Sequence, residues 1–245
     1  MGNILYTPKE GNSIVVPVYN GRIIDQMPKL IVQGYTPITV AQIMEQRILA
    51  WQSLDFEIEQ RLKQKFFNPK LKNKELATVW GNNSFYSGDS IIYHPDGRIK
   101  VVHDSKTLRC INDTSPLKLN GSLVLPEGTF ETAEGQEFSR EDVDKFTGKY
   151  LKQKEVFENP IWQALARGDK ELLKTYVGQV YSKNNDPDLM KIHVSKEKSD
   201  FEAERPWYLN GLGISSAVGS DINGLLDNID GHLIGIPQKL EDKLN

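Results

Sequence analysis

Hydrophobic and polar positions along this chain alternate most sharply between residues 89 and 104, which read DSIIYHPDGRIKVVHD. Ser90–Tyr93 and Arg98–Val102 are strand-like runs rich in Ile, Val and Tyr, and His94-Pro-Asp-Gly97 lies between them. Proline presets φ early in the turn and glycine takes the left-handed position, the chemistry of a type I turn closed by a glycine bulge. That turn sets a register in which Tyr93 faces Ile99, Ile91 faces Val101, Ser90 faces Val102 and Asp89 faces His103. Pleating puts Ile91, Tyr93, Ile99 and Val101 on one face, ending in Asp89 and His103, and this is the expected core face. Asp89 and His103 are then cross-strand neighbours, with Cβ atoms about 5 Å apart.

Elsewhere the pattern is shorter. Residues 13–19 (SIVVPVY) read as a strand, with Arg22–Asp25 as its hairpin partner across Asn20-Gly21. Pro17 cannot donate to a ladder and suggests a sheet edge. Thr36-Pro37 is expected to open a helix whose stripe is Ile38, Ala41, Ile43, Met44, Ile48 and Trp51. A further helical stripe runs through Phe56, Ile58, Leu62 and Phe66 to Asn68-Pro69. Short strands are expected at 117–119, 122–125 and 189–194.

Ser139, Asn159 and Asp169 each precede a helical stripe as N-caps, and Gly168 is expected to stop the middle helix. From Gly211 to Gly235 there are six glycines, preceded by Arg205-Pro-Trp-Tyr208, and this reads as an irregular tail.

Hairpins without a βαβ rhythm predict an α+β fold, an antiparallel hairpin-built sheet with helices packed against it. The expected organisation is a single α+β domain over 1–245. The alternative is a boundary near 138, dividing sheet and helix (1–138) from a helical satellite and the glycine-rich tail (139–245).

Composition narrows the class. The chain is 38% hydrophobic and 26% charged with net charge −3, which excludes a disordered chain. No apolar run approaches the length of a membrane span, and the N-terminus lacks the basic and apolar regions of a secretory signal. The single cysteine, Cys110, permits no intrachain disulfide, so the expected location is the cytoplasm.

The six basic residues between Arg61 and Lys74 flank Phe66 and Phe67, a weak nucleic-acid signature. The sequence pI of about 5.9 and the fit of Phe66 to a helical stripe weigh against it. Seven acids between Glu127 and Asp144 read as a solvated face.

Two candidate sites emerge. The first is Asp89 with His103 and Asp104, a hydrolase-like arrangement with His103 as general base and Asp89 orienting it. Ser87, Ser105 and Cys110 lie close in sequence, but none stands in a nucleophile motif. The ordinary alternative is an ion pair closing the end of a sheet. The second candidate is Arg205, Trp207, Tyr208, Gly211 and Gly213, since glycine admits close approach and Arg, Trp and Tyr are enriched at binding hot spots. Its ordinary alternative is a tail wrapped on the core with the aromatics as pegs. Gly211-Leu-Gly213 lacks both the third glycine and the preceding strand of a dinucleotide fingerprint.

No zinc spacing occurs, His94 and His103 point to opposite faces, and no cofactor is expected. The leading expectation is therefore a non-catalytic binding or interaction module. Its partner would be a protein, a small molecule or another copy of the chain, with no membrane involved. The hydrolase is the alternative.

Overall fold

A computed structural model of the chain describes residues 2–9, 12–52, 80, 83–117, 121–183, 189–195, 200–211, 216–219, 226–227 and 231–238. The helical stripe expected over 56–66, the basic segment 61–74 and Gly213 lie outside these residues.

The hairpin forms in the expected register. β4 (Phe85–Tyr93) and β5 (Ile99–Val102) pair as Tyr93–Ile99, Ile92–Lys100, Ile91–Val101 and Ser90–Val102. The turn closes by His94 N–H to Arg98 O at 3.0 Å, with Gly97 at φ +95°. The expectation of one core face is too narrow. Ile91, Tyr93, Ile99 and Val101 join one hydrophobic core, while Ile92 and Val102 join a second on the opposite face. All of β4 is buried, so it lies at the centre of the molecule rather than at its surface.

The remaining strands are β1 (Gly2–Tyr6), β2 (Ile14–Asn20), β3 (Tyr35–Pro37), β6 (Leu123–Val124), β7 (Gln136–Phe138), β8 (Tyr150–Leu151), β9 (Met190–His193), β10 (Ala203–Leu209), β11 (Ser216–Gly219) and β12 (His232–Pro237). They run in the order β1-β2-β12-β4-β10-β11-β9-β8, with β5, β6 and β7 attached to the middle and β3 on β12. The sheet is mixed rather than purely antiparallel, because β12 runs parallel to β4 and β11 runs parallel to β9.

Three local expectations are corrected. Residues 22–25 do not pair with β2. They open α1 (Ile23–Val32), an amphipathic helix that buries Ile23, Ile24, Met27 and Leu30, and β2 pairs with β1 and β12 instead. Pro17 is tolerated because the β12 ladder begins at Val18, one residue beyond it. Thr36-Pro37 does not start a helix but forms β3, and α2 (Val40–Gln52) starts three residues later. Its cap is Thr39, whose Oγ1 accepts from Gln42 N–H while Gln42 Oε1 accepts from Thr39 N–H. The glycine-rich tail, among its described residues, supplies β11 and β12 rather than an irregular wrap.

The remaining helices are α3 (Lys106–Arg109), α4 (Thr129–Thr132), α5 (Arg140–Phe146), α6 (Gln153–Glu158), α7 (Pro160–Leu165) and α8 (Lys170–Lys183). The expected caps are present: Ser139 Oγ accepts from Asp142 N–H, Asn159 Oδ1 from Ile161 and Trp162 N–H, and Asp169 Oδ1 from Leu172 N–H. The end of α7 differs by one residue from the expected glycine stop. Arg167 N–H bonds Ala164 O and Gly168 N–H bonds Gln163 O, a Schellman closure that puts Arg167 in the left-handed position, φ +55°. Among the described residues, no helix is long and apolar enough to cross a membrane.

Candidate functional site

One edge of β4 has two partners. β12 pairs with Phe85 and Tyr86, and β5 pairs with Ser90 onward. Ser87, Gly88 and Asp89 fall in the fork between them. The 38–40 and 103–105 segments enter there: Gly88 N–H donates to Ile38 O at 2.7 Å, and Ser105 N–H donates to Gly88 O at 2.9 Å. Gly88 is needed for this approach, because a Cβ on it would stand 2.7 Å from Pro37 Cγ.

Asp89 is fully buried and holds the fork together. Its Oδ2 accepts from Val40 N–H at 2.8 Å, at the start of α2, where the helix dipole favours an anion. Its Oδ1 accepts from Asp104 N–H at 3.1 Å and from Arg167 Nη2 at 3.2 Å. Burial pushes this carboxyl up, but His103, Arg167 and the Val40 amide together outweigh it and hold Asp89 below the usual aspartate range. His103 is beside it, as the register requires, with Nδ1 3.7 Å from Oδ1. That is an ion-contact distance rather than a hydrogen bond, and Nδ1 is a buried atom with no hydrogen-bond partner.

Asp104 completes the corner. Its backbone is left-handed, φ +50°, and its carboxylate takes Arg167 Nη2 at 2.5 Å and Arg109 Nη2 at 3.2 Å. Outside this corner opens a cleft of about 520 Å³. Six charged side chains line it: Lys9, Glu45, Asp104, Arg109, Arg167 and Asp169. Lys9 pairs with Glu45 at 2.9 Å. The Glu45 hydrogen bond and charge, with Asp169 beyond, hold Lys9 above its ordinary range. His103 is not part of the lining.

The second candidate group is built into the sheet. Arg205, Trp207 and Tyr208 stand on β10, at 5%, 0% and 4% exposure, so none is open to a partner. Trp207 Nε1 donates to Ser90 O at 3.0 Å, Arg205 Nε donates to Ser122 Oγ at 2.6 Å, and Tyr208 packs on Tyr86 with ring centroids 4.9 Å apart. Gly211 N–H donates to Ser84 Oγ at 3.1 Å. None of these residues lines the cleft. Among the described residues, no group of His, Cys, Asp and Glu side chains is arranged to hold a metal ion.

Sequence reasoning missed Arg109, Arg167, Lys9 and Glu45. Arg167 carried one signal: a non-glycine residue directly before Gly168, at the end of a well-capped helix. The others come together only through the sheet topology.

This arrangement, a mixed sheet with helices packed on it and β12 inserted beside β4, defines the class of fold. It resembles the C-type lectin fold. The likeness is to a solved protein from work on how that fold accommodates massive sequence variation in Nanoarchaeota, with TM-score 0.58 and 11% identity, covering 90% of this chain and 97% of the other. At that identity the likeness shows the fold alone. No family model matches the chain, and no curated protein matches it in sequence.

Proposed function

We propose that the protein is a non-catalytic binding module whose ligand seats in the cleft beside Asp104 and Arg167. The observation that carries this reading is the state of the two cleft arginines. Among the described residues, Arg167 is bonded through Nη2 alone, to Asp89 and Asp104. Arg109 is bonded through Nη2 to Asp104, and the two arginine side chains stay partly exposed, at 27% and 37%. Partly exposed guanidinium donors on the wall of a cleft suit an incoming acceptor. A C-type lectin fold supports a binding role, and the rigid corner at Asp89 supports a preformed site.

The hydrolase reading has less support. Asp89 spends its oxygens on Val40, Asp104 and Arg167, His103 lies outside the cleft lining, and the neighbouring Ser105 Oγ is committed to Glu204 and to the Leu108 N–H.

The test is a fragment screen by amide chemical-shift NMR on the full chain. Saturable shifts clustered at Lys9, Glu45, Asp104, Arg109, Arg167 and Asp169 are expected. Shifts confined to the strand bearing Trp207 and Tyr208, or none anywhere, would reject the cleft as the site.

A further inference from the structure

The 103–109 segment, which gives the cleft Asp104 and Arg109, has polar groups left over. His103 Nδ1 and Arg109 Nε are buried without a hydrogen-bond partner, and so is Oε2 of Glu204, the carboxyl bonded to this segment. Asp104 adds a left-handed backbone, φ +50°. Buried polar groups are normally paired, so this segment gives up less on opening to water than a fully satisfied one would.

Glu204 meets the segment through one hydroxyl. Ser105 Oγ donates to Glu204 Oε1 at 2.5 Å and accepts from Leu108 N–H at 3.1 Å, so the group that caps α3 also holds the carboxyl. α3 ends in Arg109, whose Nη2 takes Asp104 at the cleft. Glu204 is fully buried and pairs with Ile92 on β4 and Leu123 on β6. The charged groups around it are committed elsewhere. Lys100, opposite Ile92 on β5, donates to Phe130 O and Ala133 O. Glu202, two residues back on β10, accepts from Gly128 and Phe130 N–H. Lys106 is exposed, and Asp89 points to the opposite face from its neighbour Ser90. Burial raises the Glu204 carboxyl above the usual glutamate range, and the hydroxyls of Ser105, Ser90 and Thr107 offset only part of that. Thr107 is exposed, so opening its turn brings water to the carboxyl.

We infer that Glu204 is a proton-operated latch on the cleft: protonated, it holds Ser105 and with it α3 and Arg109 in place, and ionised, it draws the 103–109 segment open to reach water. The sign follows from the raised acid. Its hold is complete below the unfolded value, near 4.3, and is lost as pH rises through the folded value. The motion of the segment stands by itself, whereas its effect on binding rests on the cleft being the ligand site.

The experiment follows amide hydrogen exchange in the full chain from pH 4 to pH 8, as protection relative to the intrinsic rate at each pH. The reporters are Leu108, Arg109 and Cys110 N–H, bonded to Ser105 Oγ, Ser105 O and Thr107 O, with Val143 N–H in α5 as reference. Protection at 108–110 is expected to fall with rising pH in the parent while Val143 holds. In Glu204→Gln it should stay level, because glutamine keeps an oxygen for the serines and has no proton to lose. Should that variant not fold, Ser105→Ala, which cuts the link, should give lower but level protection. A level profile in the parent, or the same fall in parent and variant, overturns the latch. Uncharged fragments titrated at pH 5 and pH 8 separate the two levels. Weaker binding at pH 8 in the parent, and equal binding at both in Glu204→Gln, is the expected result. Equal binding at both in the parent overturns control of the cleft. If no fragment binds at either pH, the cleft falls as a site and the exchange profile alone decides the latch.

Discussion

Asp104 and Arg167 are the two non-glycine residues with left-handed backbone among those described, and they are joined to each other by an ion pair of 2.5 Å. This conformation costs about 1–2 kcal/mol in an ordinary L-residue such as arginine and less in aspartate, whose short side chain can hydrogen-bond locally. Arg167 occupies the position at the end of α7 where glycine is usual. What it gains there is direction: from the left-handed backbone the guanidinium reaches both Asp89 and Asp104.

Arg167→Gly therefore sets two effects against each other. It relieves about 1–2 kcal/mol of backbone strain. It also leaves Asp89, fully buried, without its cation, a loss of about 3–5 kcal/mol for buried pairs. Partial exposure of Arg167 and the remaining Val40 and Asp104 amides place the loss toward the low end. The variant should be about 1–3 kcal/mol less stable by urea denaturation, and adding Asp89→Asn should recover part of that. A glycine variant more stable than the parent would show that the pair holds nothing.

Trp207 offers a sharper contrast between core and surface. It is fully buried, and its Nε1–H is bonded to Ser90 O. Trp207→Ala should cost about 3–5 kcal/mol. Tyr150→Ala, at a residue 50% exposed, should cost under about 0.5 kcal/mol. The same denaturation series checks both. An alanine at 207 that left stability intact would return that strand to the candidate binding surface.

How much of this was legible in the sequence follows from how local each feature is. The hairpin register, the caps at Ser139, Asn159 and Asp169, and the Asp89–His103 approach depend on a few neighbouring residues, and the chain encodes them directly. β10 was not legible as a strand. Buried on both faces, AERPWYL shows no alternation, and the proline and charges disguise it further. β12 contains Gly235, whose Cβ would stand 2.9 Å from that of Tyr35, so a packing requirement reads in the sequence as loop composition. The cleft was least legible, since Lys9, Glu45, Arg109 and Arg167 meet only once β4 has exchanged β12 for β5 along one edge.

Asp89 should govern acid stability. Its folded value lies below the unfolded one, which is near 3.9. As pH falls, the unfolded chain takes up this proton before the folded one does. Its contribution is therefore complete above the unfolded value and is lost as pH falls through the folded value. Urea midpoints for the parent and Asp89→Asn, measured from pH 7 down to pH 2, should converge at the acid end. A constant gap between the two curves would mean that the carboxylate charge contributes nothing.

Glu204 should behave with the opposite sign. It stands on β10, fully buried, and its Oε1 accepts from Ser90 Oγ and Ser105 Oγ, both at 2.5 Å, while Oε2 is buried with no hydrogen-bond partner. Burial raises its carboxyl above the usual glutamate range, and the hydroxyls of Ser105, Ser90 and Thr107 only partly offset that. A raised acid contributes stability that is fully present below its unfolded value, near 4.3, and that is lost as pH rises through the folded value. Glu204→Gln keeps an oxygen for the two serines and carries no charge to desolvate. Its stability relative to the parent should therefore improve between about pH 4 and pH 7, the reverse of the trend for Asp89→Asn. The two substitutions act on opposite faces of one strand pairing, since Ser90 follows Asp89 and Ser105 follows Asp104. If Glu204→Gln instead lost stability steadily as pH rose, the carboxylate form would have to be the one that the serines stabilise, and the buried carboxyl would be a charged anchor rather than a neutral one.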